Sequence, residues 1–408
     1  MTISRRGLLA TSAAAVTTPL LPARAQGKPK IRIGQLTDLS GTYRDNTGPT
    51  SVACSQEAID QFMAGGRDFE VELISADHQN KPDVASSLAR QWLDQGVDVI
   101  SDVPTSSVAL AVAEVCRQKD KIHLNASATV ATLTGEQCSP NTIVWSFDTY
   151  ENARSTAGAM TKRGADSWFI LTADYAFGHS LELFGKKFIT ENGGKVLGSI
   201  RYPFPETTDF SSFLLQAASS GAKAIGLANA GLDTQNAIKQ AFEFGLNQKM
   251  TIAPLLMFLQ DVHSLGLKAT QGLVTTESFY WDLNDGTRRF AQNILKRTPK
   301  NMPNQAQASC YGSVLHYLKA VQQMGAAEAK KSGAATVAAM KRLPTEDDAF
   351  GKGSIGINGR GVFPAYLFEV KKPEESKAEW DLYKLLATTP GPEAVRPLSE
   401  TGCKLVTG

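Results

Sequence analysis

Three short runs of small and hydroxyl-bearing residues are the first places in this chain where chemistry could be done. They are Leu39-Ser40-Gly41-Thr42-Tyr43, Pro104-Thr105-Ser106-Ser107 and Asn125-Ala126-Ser127-Ala128-Thr129. Each follows an apolar run of strand length, and the last two directly precede a helical pattern. Small hydroxyl residues in such a place let backbone N–H groups approach an anion, and the positive end of the following helix favours negative charge there. The same residue types also serve as plain helix N-caps. One such loop would say little; two of them plus a glycine loop point to a site the size of a carboxylate.

The familiar catalytic signatures are absent. There is no G-x-S-x-G nucleophile turn, no H-E-x-x-H and no phosphate-binding G-x-x-x-x-G-K-[ST]. The five histidines (His78, His123, His179, His263 and His316) are scattered, with none paired at metal-ligand spacing. Asp77-His78 reads as a strand-end turn. Gly351-Lys352-Gly353-Ser354-Ile355-Gly356 spells G-x-G-x-x-G, but a dinucleotide site needs that motif between a strand and a helix. Here an acidic loop precedes it and Asn358-Gly359-Arg360-Gly361 follows, so it reads as a flexible crossing. The expectation is a protein that is not an enzyme and carries no metal and no cofactor.

The elements that must position the three loops alternate in type. Strand patterns cover 31–36, 69–76, 97–101 and 121–125, separated by helical patterns at 51–63, 84–93 and 108–116. Short strands separated by helices of this length predict βαβ units and a parallel sheet. The pattern then restarts, with strands at 168–171, 195–202, 224–228 and 250–253 and helices at 180–191, 210–219 and 234–244. Helices return at 289–297, 305–324 and 335–342, and strand-like pieces at 362–370 and 380–386 close the chain. The fold class is α/β, with two similar parallel-sheet units.

The 408-residue chain carries 42 Lys+Arg against 40 Asp+Glu, so charge alone argues for no nucleic-acid or anionic-membrane partner. Residues 1–25 read as a twin-arginine-type export leader. Arg5-Arg6 precede the apolar stretch Leu8–Leu21, and Ala23-Arg24-Ala25 is a small-x-small cleavage site. The stretch is broken by Pro19 and is shorter than the ~20 residues needed to span a bilayer. The working protein is therefore expected outside the cytoplasm, in the periplasm, and not inserted in the membrane. Of five cysteines, Cys54, Cys116 and Cys310 lie in apolar helical patterns and Cys138 and Cys403 in loops. The two loop cysteines are the candidates for a disulfide in an oxidising compartment.

Ile31-Arg32-Ile33-Gly34 leading to Leu39-Ser40-Gly41, Asp77 with Asn80-Lys81-Pro82, and the loops 105–107 and 125–129 form an ordered set. Asp174-Tyr175-Ala176-Phe177-Gly178 and Asp209-Phe210-Ser211 complete it. In order and spacing, over nearly the whole chain, this set resembles the extracytoplasmic solute-binding proteins of ATP-driven (ABC) importers, of the branched-chain (Leu/Ile/Val) amino-acid type. The resemblance implies a type I periplasmic binding fold of two Rossmann-like lobes. Lobe one would comprise 26–148 and 279–352, and lobe two 149–278 and 353–408. Three hinge crossings would lie near Phe147–Tyr150, Glu277–Trp281 and Phe350–Ile357.

It further implies that Thr105 and Thr129 hold a ligand carboxylate through hydroxyl and backbone N–H groups. Ser106 would support them, and Ser127, with Ala128 beside it, would offer its backbone. Tyr43 and Tyr150 would lie at the cleft wall, facing Tyr175 and Phe177 of lobe two, although Tyr175 and Phe177 fit a core equally well. Amino-acid binders of the family place a carboxylate on lobe two for the α-ammonium. The loops where it would sit, Asn229-Ala230-Gly231 and the one containing Leu255, hold no acid until Asp233. A buried ammonium without a counter-charge is costly, so an aromatic or other apolar carboxylate fits better than an aliphatic amino acid, which stays as the alternative. The implied partners are that small organic acid and an inner-membrane ABC permease, with the protein acting as a monomer. A sensory ligand-binding domain is the alternative from another class.

Overall fold

The computed structural model describes residues 27–406; the expected export leader lies outside them. The first unit runs β1 (Lys30–Thr37), α1 (Gly48–Met63), β2 (Glu70–Asp77), α2 (Pro82–Asp94), β3 (Val99–Asp102), α3 (Ser106–Gln118), β4 (Ile122–Asn125) and β5 (Thr142–Val144). Its five strands form one parallel sheet in the order β2-β1-β3-β4-β5. β3, β4 and β5 are buried along their whole length, because helices cover both faces of such a sheet. Pro82 opens α2, where its fixed φ and missing N–H cost nothing.

The second unit begins with α4 (Thr149–Asn152), a π-helical turn (Ala153–Ala157) and α5 (Gly158–Lys162). It continues through β6 (Ser167–Ala173), α6 (Ala176–Glu191), β7 (Lys195–Tyr202), α7 (Ser211–Ser219), β8 (Ala224–Ala228), α8 (Leu232–Glu243) and β9 (Thr251–Pro254). α9 (Leu259–Leu265), α10 (Leu267–Thr270) and β10 (Val274–Glu277) follow. Its parallel sheet has the order β7-β6-β8-β9, matching the first four positions of the other sheet.

The chain then returns to lobe one with α11 (Asp285–Arg297), α12 (Gln305–Met324), α13 (Ala326–Ala329) and α14 (Gly333–Arg342). α12 is buried over most of its length and shares a core with Ile31, Ile33, Phe62 and Trp145. A small antiparallel sheet follows, β11 (Thr345–Asp347), β12 (Gly351–Ile355) and β13 (Gly361–Val362). Finally β14 (Ala365–Val370) and β15 (Tyr383–Thr389) join β10 in a second antiparallel sheet, whose Phe368 and Tyr383 pack with Phe210 and Leu214 of lobe two.

Two expectations need correction. The expected flexible crossing at Phe350–Ile357 is an ordered strand paired on both sides, and Phe350, Ile355 and Phe363 belong to the lobe-one core. The expected strand 362–370 is two strands, broken at Phe363-Pro364, where proline cannot donate to a ladder. Phe363-Pro364 separates β13, beside the lobe-one core, from β14, which pairs with β10. The G-x-G-x-x-G run lies on β12 with no helix opening behind it.

Cys138 and Cys403 form a disulfide with Cα atoms 5.6 Å apart, while Cys54, Cys116 and Cys310 are free and buried. No helix among the described residues is long and apolar enough to cross a membrane.

Candidate functional site

In an open parallel sheet the crevice for a ligand lies outside the carboxyl ends of the strands, where strand order reverses. Both sheets here present those ends to one another. The loops after β1, β3 and β4 face the loops after β6, β8 and β9 across a cavity of about 20 Å³. From lobe one it is lined by Tyr43, Asn46 and Thr47, by Pro104 and Ser106, and by Ser127 and Thr129. From lobe two it is lined by Tyr175 and Phe177, by Ala230, and by Leu256 and Phe258.

Asp38 shapes the first loop. Its Oδ1 accepts the N–H groups of Ser40 (3.1 Å) and Gly41 (2.6 Å), and its Oδ2 accepts those of Tyr43 (2.8 Å) and the Asn80 side chain (2.8 Å). Asn80 in turn accepts the Thr105 hydroxyl. His78 helps hold that turn, its Nδ1 accepting Asn80 N–H at 2.9 Å, and burial pushes its pKa down to about 4. At the end of β3, Asp102 and Val103 both adopt left-handed φ, +73° and +59°. Such strain in non-glycine residues collects at ligand sites. The Asp102 carboxylate accepts the Ser127 hydroxyl and, at 3.2 Å, Gln35 Nε2. Burial raises its pKa against the pull of those donors. α3 opens at Ser106 with no side-chain cap on its first N–H groups, which leaves that helix end suited to an anion at the cavity wall.

Lobe two supplies rings. Tyr175 stacks on Phe204 at 4.2 Å between centroids, and Tyr43 of lobe one stacks on the same ring at 5.9 Å. The hydroxyls of Tyr43 and Tyr175 hydrogen-bond across the cleft, and burial raises both phenol pKa values. Leu232 N donates to Thr42 O at 3.2 Å. Asn46 Nδ2 donates to Asp261 Oδ1 at 3.2 Å, and Asn304 Nδ2 to Gln260 Oε1 at 2.7 Å. The lobes are closed on one another.

Of the residues singled out from the sequence, Tyr43, Ser106, Ser127, Thr129, Tyr175 and Phe177 are brought together at the cavity. The others lie elsewhere. The Thr105 hydroxyl turns to Asn80. Ala128 is buried, with its carbonyl accepting Asn125 Nδ2 at 2.6 Å. Tyr150 sits edge-on between Phe184 and Phe188, at 5.3 and 5.0 Å. Asn229 Oδ1 is taken by the Thr234 hydroxyl at 2.6 Å. Leu255 packs in the lobe-two core with Ile170 and Phe184. Asn46, Thr47, Pro104, Ala230, Leu256 and Phe258 were missed; all but Asn46 and Thr47 lie in or beside loops already singled out. Asp233, in the first turn of α8, is buried and accepts the Tyr202 hydroxyl at 2.8 Å. Burial pushes its carboxyl up to about 7, with Tyr202 pulling the other way. Its charge also acts on Tyr43 and Tyr175.

Residues 30–377 match the profile of the family described as periplasmic binding protein. A crystal structure of a periplasmic binding protein from Burkholderia mallei is 45% identical, with a TM-score of 0.88, covering 93% of this chain and 100% of that one. A branched chain amino acid ABC transporter periplasmic ligand-binding protein from Burkholderia xenovorans is 37% identical, with a TM-score of 0.80 and coverage of 92% and 99%. At 22% identity the likeness extends to the fold of an ABC-transporter solute binding protein from R. palustris in complex with benzoate, with a TM-score of 0.78 and coverage of 92% and 99%. Among curated proteins none matches.

Proposed function

The chain belongs to the periplasmic binding protein family of ABC transporters, and on that premise we propose that it captures a small aromatic or other apolar carboxylate between its lobes and delivers it to a membrane permease. The observation that carries this reading is the division of the cavity wall. Ser106, Ser127 and Thr129 gather beside the start of α3, while Tyr43, Tyr175, Phe177 and Phe258 supply rings, and the described lining holds no acidic or basic side chain. The hydroxyls of Ser106 and Thr129 and a helix N-terminus suit a carboxylate, the Ser127 hydroxyl being held by Asp102, and the rings suit an apolar body. A cavity of about 20 Å³ has room for about one water molecule. A ring-sized ligand therefore has to bind while the Tyr43–Tyr175 contact is parted, with the carboxylate docking on lobe one before the lobes close.

A second reading is favoured by Asp233. A buried lobe-two carboxyl whose charge reaches Tyr43 and Tyr175 would receive the ammonium of an aliphatic amino acid. A thermal-shift screen separates the two. A ligand at a hundred times its Kd stabilises by about 2.7 kcal/mol. Benzoate-type acids should raise Tm in both wild type and Asp233→Asn. A shift with leucine or valine that Asp233→Asn abolishes would replace the proposal with the second reading. The same proposal includes a twin-arginine-type leader, tested by sequencing the exported protein, which should begin at Gln26.

A further inference from the structure

Between β12 and β13 the chain lies flat against β5 and the residue that follows it. Gly359 is left-handed (φ +86°), and a Cβ there would lie 2.4 Å from Thr142 O; at Gly361 it would lie 1.6 Å from Trp145 O. Two positions with no room for a side chain thus deliver Arg360 to one place, with its backbone bridged to Val144. Arg360 stands on the segment that leads into the third passage, and its guanidinium meets the first passage directly and the second only through Glu151. On the first, Asp148 Oδ2 accepts Nε at 3.1 Å and Glu151 Oε2 accepts Nη2 at 2.6 Å. The second is joined through Ser278, whose hydroxyl donates to Glu151 Oε1 at 3.2 Å and whose N–H donates to Gln305 Oε1 at 2.8 Å. Within its own segment, Nη1 donates to the carbonyl of the next residue, Gly361, at 2.7 Å, just before Phe363-Pro364. The side chains of Arg360, Asp148 and Glu151 are no more than 4% exposed.

Buried ion pairs are weak stabilisers compared with apolar packing of the same volume, so stability alone does not explain this one at the point where the crossings converge. We propose that Arg360 is a positioning residue for ligand capture. It ties the three crossings so that the lobes open and close about one axis, and it thereby sets the population of the closed, binding-competent form. This rests on the reading of the cleft as a closing ligand site.

The test uses the full chain with spin labels at Gln91→Cys and Glu243→Cys, two exposed positions, one on each lobe. The native free cysteines are buried and do not compete for label. Interlobe distances are measured without ligand in wild type, in Glu151→Gln, which keeps shape but loses charge, and in Arg360→Lys, which keeps charge but loses the fork. Both variants should show a shifted or broadened distance distribution and about tenfold weaker benzoate binding. An unchanged distribution, even with a lowered Tm, would reduce the cluster to a fold staple and overturn the proposal. Where Arg360→Lys does not fold, Glu151→Gln decides. Failure of wild type to bind benzoate removes the ligand reading alone, because the ligand-free distances still answer the question about the hinge.

Discussion

Thr105 and Thr129 both stand in loops at the carboxyl ends of lobe-one strands, yet their hydroxyls do different work. Thr129 lines the cavity, whereas Thr105 donates to Asn80, which Asp38 holds together with the backbone of Tyr43. Residue type and loop were legible in the sequence; the direction of the hydroxyl was not, because the competing acceptor comes from another loop. Tyr150 shows the same limit, since an aromatic at the cleft margin and one packed between Phe184 and Phe188 look alike in one dimension. The two threonines should therefore respond differently. Thr129→Ala should weaken binding of the carboxylate ligand by about 1.5–3 kcal/mol, the range for a hydrogen bond to a charged group, with little change in Tm. Thr105→Ala should instead lower Tm while costing less affinity. Calorimetric titration of both checks this, and an equal loss of affinity would return Thr105 to the ligand. Asp233 predicts a pH dependence. Its carboxyl moves from an ordinary 3.8 to about 7, so the native state holds its proton more tightly than the unfolded chain. The stability this contributes is complete below about pH 4 and is lost as pH rises through 7. At roughly 1.4 kcal/mol per pH unit the ionised form costs up to about 4 kcal/mol. Asp233→Asn should thus raise Tm at pH 8 and leave it unchanged at pH 4; equal shifts at both would show that the proton is not the cause.

Periodicity located elements well wherever burial is two-sided. β8 and α12 occupy the spans their patterns predict, since an unbroken apolar run or a long apolar helix leaves little choice. It did worse where pairing partners are distant in the chain. β10 owes its existence to its antiparallel neighbour β14, and a strand held by its partner carries a weak local signal. The loop before α8 was legible as glycine-bearing, but the reason for Gly231 is tertiary. Its φ is +63°, and a Cβ there would lie 2.5 Å from Thr42 O and 3.0 Å from the Tyr43 ring, across the cleft. Beside it, Leu232 N donates to that same carbonyl. Gly231→Ala should therefore obstruct closing as well as strain the turn. The expected outcome is affinity lower by about tenfold or more, in proportion to the lost closed population, together with a larger radius of gyration in solution scattering at saturating ligand. Intact affinity with a lowered Tm would mean that the turn is strained but the approach to Thr42 is dispensable.

Two lobes joined by three passages of chain also share a tail. After β15 the chain passes against Phe363, where a Cβ on Gly391 would lie 3.0 Å from the backbone. It takes a hydrogen bond from Arg154 to the Glu393 carbonyl and an ion pair from Lys187 to Glu400 at 2.9 Å. It ends in the disulfide to Cys138, closing a span of 265 residues. Lys187 lies on α6 of lobe two and Cys138 follows β4 of lobe one, so the tail is fastened to both. No cavity-lining residue lies on it. Its contribution should therefore be to the stability of the whole rather than to recognition. Loop closure over so long a span gives a disulfide about 2–5 kcal/mol, chiefly by restricting the unfolded chain. Cys403→Ser, or reduction of the wild type, should lower Tm by roughly 5–10 °C, while the ligand Kd stays within about threefold, less than 1 kcal/mol. The two readings separate cleanly in one titration and one melt. If Kd rises while Tm holds, the tail acts as a fourth connection governing the angle between the lobes, and its bond to Cys138 matters for closing rather than for folding.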